Sequence, residues 1–146
     1  MTDSKWANEV LNVQILSYKT EVILIGSDEI PLLKDTIDTL LQCREIFYGY
    51  FVDDELSGVI SIKIENDVMD IHRLFVHPKH FRKGIAQILL DFIQVNEEGF
   101  KQIIVSTGSQ NTPAIRFYQK NGFSIIKEIK VADHLSLTFF LKEICI

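Results

Sequence analysis

The run His77-Pro78-Lys79-His80-Phe81-Arg82-Lys83-Gly84-Ile85-Ala86 carries the residue types that can hold an anion. A β-rich stretch, Met69 to Val76, stops before Pro78 and a short basic loop follows. After Gly84 the apolar residues Ile85, Ile88, Leu89, Phe92 and Ile93 recur at helical spacing. The first backbone N–H groups of a helix have no partners within it, and the helix dipole puts partial positive charge there, so a phosphate is favoured at that end. Gly84 lets the backbone approach such a ligand closely, while Arg82 and Lys83 add formal charge. A loop with one glycine is common in ordinary strand-to-helix turns, and no Gly-Lys-Ser/Thr follows Gly84 as a nucleotide loop would need. His77 and His80 flank Pro78 without a third ligand in sequence reach, so they read as loop residues and no metal is expected. Cys43 has no histidine nearby in sequence, which argues against a thiol nucleophile.

The elements that must position this loop are legible in outline. Trp6 to about Ile25 reads as a helix, with Val10, Val13 and Leu16 at its apolar positions, although Val22 to Ile25 suits a strand equally well. Asp28-Glu29-Ile30-Pro31 breaks it, and Leu32 to Leu41 reads as a second helix. A hairpin follows, Ile46 to Val52 and Leu56 to Ile64, turning at Asp53-Asp54-Glu55; Glu65-Asn66-Asp67 then turns into a strand from Val68 to Val76. Asp70 and His72 are expected on the same face of that strand as Leu74 and Val76. Beyond the loop and its helix, Ile103 to Ser106 reads as a buried strand. Thr112 and Pro113 suit the N-cap and first position of another helix, and Gly122 suits its C-terminal stop, with Phe123 supplying the accompanying apolar contact. Phe123 to Val131 and Leu135 to Lys142 form a final antiparallel pair, with Leu135, Leu137, Phe139 and Leu141 on one face.

Two of these segments carry a family resemblance. Phe81-Arg82-Lys83-Gly84-Ile85-Ala86 after Val76 is similar to the coenzyme A motif of the GNAT superfamily of acyl-CoA N-acyltransferases, with Phe81 standing where that family has Arg or Gln. Asn111, Ala114, Phe117, Tyr118, Lys120, Gly122 and Phe123 resemble the family's second motif, in the expected order and with the expected helix and strand between. The resemblance implies an α/β (α+β) fold in a single domain over residues 1–146, with a mixed, mostly antiparallel sheet of about six or seven strands flanked by about four helices. The family usually opens on a short strand, and none is evident before Trp6. The resemblance further implies acetyl-CoA as co-substrate, bound by the main chain of Leu74, Phe75 and Val76, by the loop residues Phe81, Arg82, Lys83, Gly84, Ile85 and Ala86, and by Asn111 and Tyr118.

The reaction it implies is direct attack of a primary amine on the thioester. That attack needs a base, for which Asp70 and His72 are candidates, and a proton for the departing thiolate, for which Tyr118 is the candidate. Each has an ordinary structural reading: polar residues of a half-exposed strand for the first two, a core aromatic for Tyr118, and a turn residue for Asn111. Glu21, Glu29 and Glu45 lie where the family forms acceptor sites, although a surface carboxylate is the simpler reading of each. The resemblance also admits a homodimer through the last strands. A catalytically inactive acyl-CoA-binding sensor or scaffold of the same fold is the alternative, kept open by Phe81 and by the short side chain of Asp70.

Composition sets outer bounds. At 146 residues, 47% of them hydrophobic, the chain can bury one core without disulfides or metals. A net charge of −5 argues against nucleic acid as a partner. With a mean hydropathy of +0.13 and no apolar run of the length a bilayer requires, no membrane span is expected. The N-terminal Met1-Thr2-Asp3-Ser4-Lys5 lacks the pattern of a signal peptide, and two cysteines make no disulfide framework. These features fit a cytoplasmic protein with reduced thiols.

Overall fold

The computed structural model describes residues 3–25 and 35–144. Helix α1 runs Ser4–Ile25, so the stretch that suited helix and strand equally is helical, and no strand precedes it among the described residues. Helix α2 covers only Ile37–Gln42. Asp35 and Thr36 lie outside it, so the helix expected from Leu32 to Leu41 is not continuous over the described residues. Thr36 and Thr39 form a reciprocal capping box, each hydroxyl bonding the other residue's N–H, at 3.2 and 2.9 Å, and this fixes the first turn after Thr36. Leu32, Leu33 and the expected break at Asp28 to Pro31 lie outside the described residues.

The described strands are β1 Ile46–Val52, β2 Glu55–Glu65, β3 Val68–Val76, β4 Gln102–Gly108, β5 Ser124–Ala132 and β6 Leu135–Glu143, with helices α3 Ile85–Asn96 and α4 Thr112–Lys120 interposed. They form one sheet in the order β1-β2-β3-β4-β6-β5, in which only β3 and β4 are parallel. The two hairpins between β1, β2 and β3 turn on Asp53-Asp54 and Asn66-Asp67, all four at positive φ (51° to 66°). Two-residue turns of this kind match the strand twist, and Asp and Asn tolerate the left-handed conformation better than other side chains do.

Helices cover both faces. On one, Ile85, Leu89, Leu90 and Ile93 of α3 pack with Ile60, Ile62, Met69, Ile71, Ile103 and Phe140. On the other, Ala7, Val10, Val13 and Tyr18 of α1 and Leu40 of α2 pack with Val59, Phe75 and Leu135. The buried row of α3 differs from the expected one: Ile88 and Phe92 are exposed and Leu90 is buried. The helix crosses β2 at Gly58, where an added Cβ would stand 2.6 Å from Ile85 Cγ2 and 3.2 Å from Leu89 Cδ1, and that close approach selects the row. At the opposite edge β5 is exposed along its length, including Ile125, Ile126, Ile129 and Val131.

One irregularity reorders β3. Ser61 lies opposite Arg73 and Ile62 opposite Ile71, so β3 carries an extra residue at His72. A one-residue slip exchanges the faces of everything beyond it. Leu74 and Val76 therefore pack with Met69 and Ile71 on the α3 face, whereas Phe75 joins the α1 cluster. The expectation that Asp70 and His72 share a face with Leu74 and Val76 is corrected by this bulge.

Candidate functional site

The parallel pairing of β3 with β4 stops early. Val68, Met69 and Asp70 pair with Gln102, Ile103 and Ile104, and no pair follows. Yet β3 continues beside β2 to Val76, and β4 continues beside β6 to Gly108. The two strands thus diverge into a wedge, leaving Leu74, Phe75 and Val76 with an unpaired backbone edge facing β4. Such an edge accepts an extended ligand as a further strand would be accepted.

The loop lies at the open end of the wedge. Its entry is fixed by His77 N–H donating to Ser57 O at 2.7 Å, followed by a 3₁₀ turn at Pro78–His80. Arg82 and Gly84 have φ of 64° and 75°, so the backbone reverses twice around Lys83. Gly84 caps α3 without any side-chain hydrogen bond, and a Cβ added there would meet nothing within 4 Å. The amides of the first turn are accordingly open, with Phe81, Arg82, Lys83 and Gly84 all exposed and Ala86 partly so; Ile85 alone is buried, anchoring the turn against β2.

Across the wedge, Asn111 is the N-cap of α4, its side-chain oxygen accepting from Ala114 N–H at 3.3 Å. Thr112, expected as the cap, is the first helical residue. The amide nitrogen of Asn111 has no partner among the described residues and is available to an acceptor. Tyr118 is 6% exposed and packs against the rings of Phe117, Phe123 and Phe140 at 5.3 to 5.4 Å. The end of α4 fixes its place: Gly122 N–H donates to Gln119 O and Phe123 N–H to Tyr118 O, the paired bonds of a Schellman stop, with Gly122 at φ 89°. Gln87 and Asn121 exchange two hydrogen bonds, of 2.7 and 3.1 Å, that tie α3 to α4.

Asp70 and His72 meet at the point where the wedge opens, with His72 Nε2 3.4 Å from Asp70 Oδ2. The bond to Asp70 raises the imidazole above its ordinary value, against the opposing effect of burial, and Glu45 adds to the rise.

Sequence reasoning missed the cluster beside them. Arg73, 5% exposed, bonds Glu45 through Nε at 2.8 Å and Nη2 at 3.1 Å, Asp35 at 2.5 Å and Gln14 at 2.8 Å. Ser61 donates to Glu45 at 2.6 Å. Burial alone would raise Glu45, but Arg73 and Ser61 outweigh it and hold the carboxyl below its ordinary value. Glu45 is therefore a structural ion-pair partner and not the surface carboxylate expected of it. The sequence signal was a third polar residue, an arginine, in a strand that already carries Asp70 and His72 among apolar residues. Glu21 and Glu29 carry no described side chains. Beyond Gly108, Ser109, Gln110, Glu128, Asp133, His134 and Ser136 line an open cavity of about 540 Å³. Among the described residues there is no group of three or more metal-ligating side chains, and no helix long and apolar enough to cross a membrane.

The family model described as the acetyltransferase (GNAT) family matches residues 13–123. The chain belongs to this family. Its members use acetyl-CoA as co-substrate. The chain is 40% identical over 134 residues to the UPF0157 protein YqkA of Bacillus subtilis, a match covering 92% of this chain and 39% of that protein. It is 28% identical over 96 residues to the spermidine N(1)-acetyltransferase of Thermoplasma acidophilum, covering 64% and 60%. It thus spans about two-fifths to three-fifths of the length of these curated relatives. The PaiA N-acetyltransferase of Thermoplasma acidophilum, solved with coenzyme A, shares the fold: TM-score 0.79 over 99% of this chain and 96% of that one, at 22% identity.

Proposed function

We propose that the protein is an N-acetyltransferase that moves the acetyl group of acetyl-CoA to a cationic primary amine, in a single domain. The divergence of β3 from β4 beside an uncapped helix N-terminus is the observation that carries this reading. The pantetheine arm would lie along the free edge of Leu74, Phe75 and Val76. Its diphosphate would rest on the amides from Lys83 to Ala86, with Arg82 and Lys83 alongside. Asn111 would hold a pantetheine amide.

The chemistry follows from the groups nearest the wedge. An ammonium is not a nucleophile, so His72, oriented by Asp70, takes the amine proton directly or through water. The nitrogen then attacks the thioester carbon and becomes cationic again; it gives up its second proton to solvent as the carbonyl re-forms and the C–S bond breaks, while Tyr118 supplies the proton that makes coenzyme A a thiol and is reprotonated from solvent. The products are an N-acetyl amide and free coenzyme A. Main-chain donors around the wedge would stabilise the oxyanion, and binding of both substrates supplies proximity. For the acceptor, the cavity beyond Gly108 offers Glu128 and Asp133 to a second positive charge, in keeping with the polyamine named for one relative.

Coenzyme A release from acetyl-CoA, followed with a thiol reagent against spermidine, a lysine peptide and an uncharged amine, tests this reading. Release with a cationic acceptor is expected. Binding of acetyl-CoA with no release to any amine would favour the sensor alternative, and no binding would overturn both.

A further inference from the structure

His80 closes the 3₁₀ turn that leads into the donor loop, and the mechanism above makes no use of it. Its side chain is 5% exposed, and its two ring nitrogens differ. Nδ1 lies 3.3 Å from Nζ of Lys83. Nε2 is enclosed and has no hydrogen-bond partner among the described residues. An ammonium has donors only, so Nδ1 is the acceptor of that contact and the imidazole is neutral, with its own proton on Nε2. Burial favours this neutral form, and so does the charge of Lys83, with smaller contributions from Lys79 and His77; Glu55 opposes them and is itself paired with Lys79 at 2.8 Å. Two features are thus out of balance. A buried donor stands without an acceptor among the described residues, which is uncommon in folded proteins, and the ammonium of an exposed loop lysine rests on a neutral ring instead of in solvent.

We propose that His80 is a positioning residue of the donor loop that exchanges the Lys83 ammonium for a proton when the donor binds. In the free protein Nδ1 parks the ammonium. When the diphosphate draws Lys83 away, Nδ1 is released beside a new double negative charge and takes a proton from solvent. The N–H bond formed there is balanced by the one broken in the buffer acid, and no other bond changes. The imidazolium then adds a positive charge next to the diphosphate. This rests on the reading of the loop as the diphosphate site. Because the free imidazole is held below its ordinary value and the bound one is favoured, proton uptake accompanies binding between the two values, and donor affinity increases as pH falls through that interval.

Calorimetric titration of the full chain with dephospho-coenzyme A, in buffers of differing ionisation enthalpy, reads the uptake directly. This probe keeps the diphosphate but lacks the 3′-phosphate, whose own titration near about pH 6 would add protons of its own. The expected result is a buffer-dependent heat corresponding to net uptake, with affinity rising by at most about tenfold per pH unit as pH falls through the interval between the bound and the free values. His80→Asn places an amide oxygen where Nδ1 stands, so it keeps an acceptor for Lys83 but cannot be charged, and its uptake and its pH dependence vanish. Lys83→Met, a change at an exposed residue that carries the comparison should His80→Asn fail to fold, leaves His80 partly protonated beforehand and lowers the uptake. Buffer-independent heat in the wild type, or uptake unchanged in both variants, overturns the proposal while leaving the donor site intact. A wild-type protein that does not bind the probe overturns the donor-loop reading and this proposal with it.

Discussion

At the scale of single residues, the side chains proposed for proton transfer sit in contrasting surroundings. Tyr118 is locked by three rings and by the helix stop that follows it, so Tyr118→Phe removes the hydroxyl and leaves the packing in place. Turnover should fall by about a hundredfold or more, the usual scale for losing a general acid, with acetyl-CoA affinity nearly unchanged; full turnover in this variant would remove Tyr118 from the chemistry. His72 and Asp70 are partly open to solvent, and what matters there is protonation. Since Asp70 raises His72 above its ordinary 6.5, kcat/KM should climb with pH through an inflection above that value. Asp70→Asn should move the inflection down toward 6.5 and lower the plateau. The same shift has a consequence for folding. The stability that the pair contributes is fully present below 6.5 and is lost as pH rises through the folded value. An inflection that stays put in Asp70→Asn would assign the base elsewhere.

At the scale of elements, the loop, α3, α4 and the glycines at their ends were legible because each is specified within about ten residues: Gly84 before an apolar period, and Gly122 with Phe123 after one; the N-cap of α4 alone falls one residue earlier than expected, at Asn111. What the sequence concealed depends on partners far away in the chain. Nothing local to Met69 through Val76 announces that His72 will be an extra residue against β2, so alternation alone put Asp70 on the wrong face relative to Leu74. The buried row of α3 likewise depends on Gly58, in another strand. That dependence makes a test. Gly58→Ala would force a Cβ to within 2.6 Å of Ile85, the first residue of α3, and overpacking of this sort costs about 1–3 kcal/mol. Because Ile85 anchors the turn whose amides are proposed to hold the diphosphate, a lower melting temperature should come with weaker acetyl-CoA binding. Gly99→Ala is the contrast: φ is 83° but the space is open, so about 1 kcal/mol of backbone strain should appear with donor affinity unchanged. Equal effects of the two on affinity would mean that α3 does not transmit the displacement.

At the scale of the whole molecule, the Arg73 cluster adds polar ties between parts that the apolar cluster on the same face also joins. Gln14 comes from α1, Asp35 from the segment before α2, Glu45 from the segment before β1, and Ser61 and Arg73 from the middle strands. A buried pair adds little net stability compared with apolar residues of equal volume, but removal of one partner strands the other. Arg73→Met should therefore cost about 3–5 kcal/mol in unfolding free energy, and the loss should depend on pH in a definite direction. In the wild type Glu45 is held below its ordinary 4.5, so its contribution is present above that value and is lost as pH falls through the folded one. Without the guanidinium, burial becomes the main influence on Glu45 and turns the shift upward, so acidification relieves the variant by protonating a stranded carboxylate. Urea unfolding of both proteins near about pH 8 and about pH 5 should show the gap between them narrowing at the lower pH. A gap of the same size at both would mean that Glu45 finds another partner or water when Arg73 is gone, and that the helices on this face are held to the sheet by their apolar contacts alone.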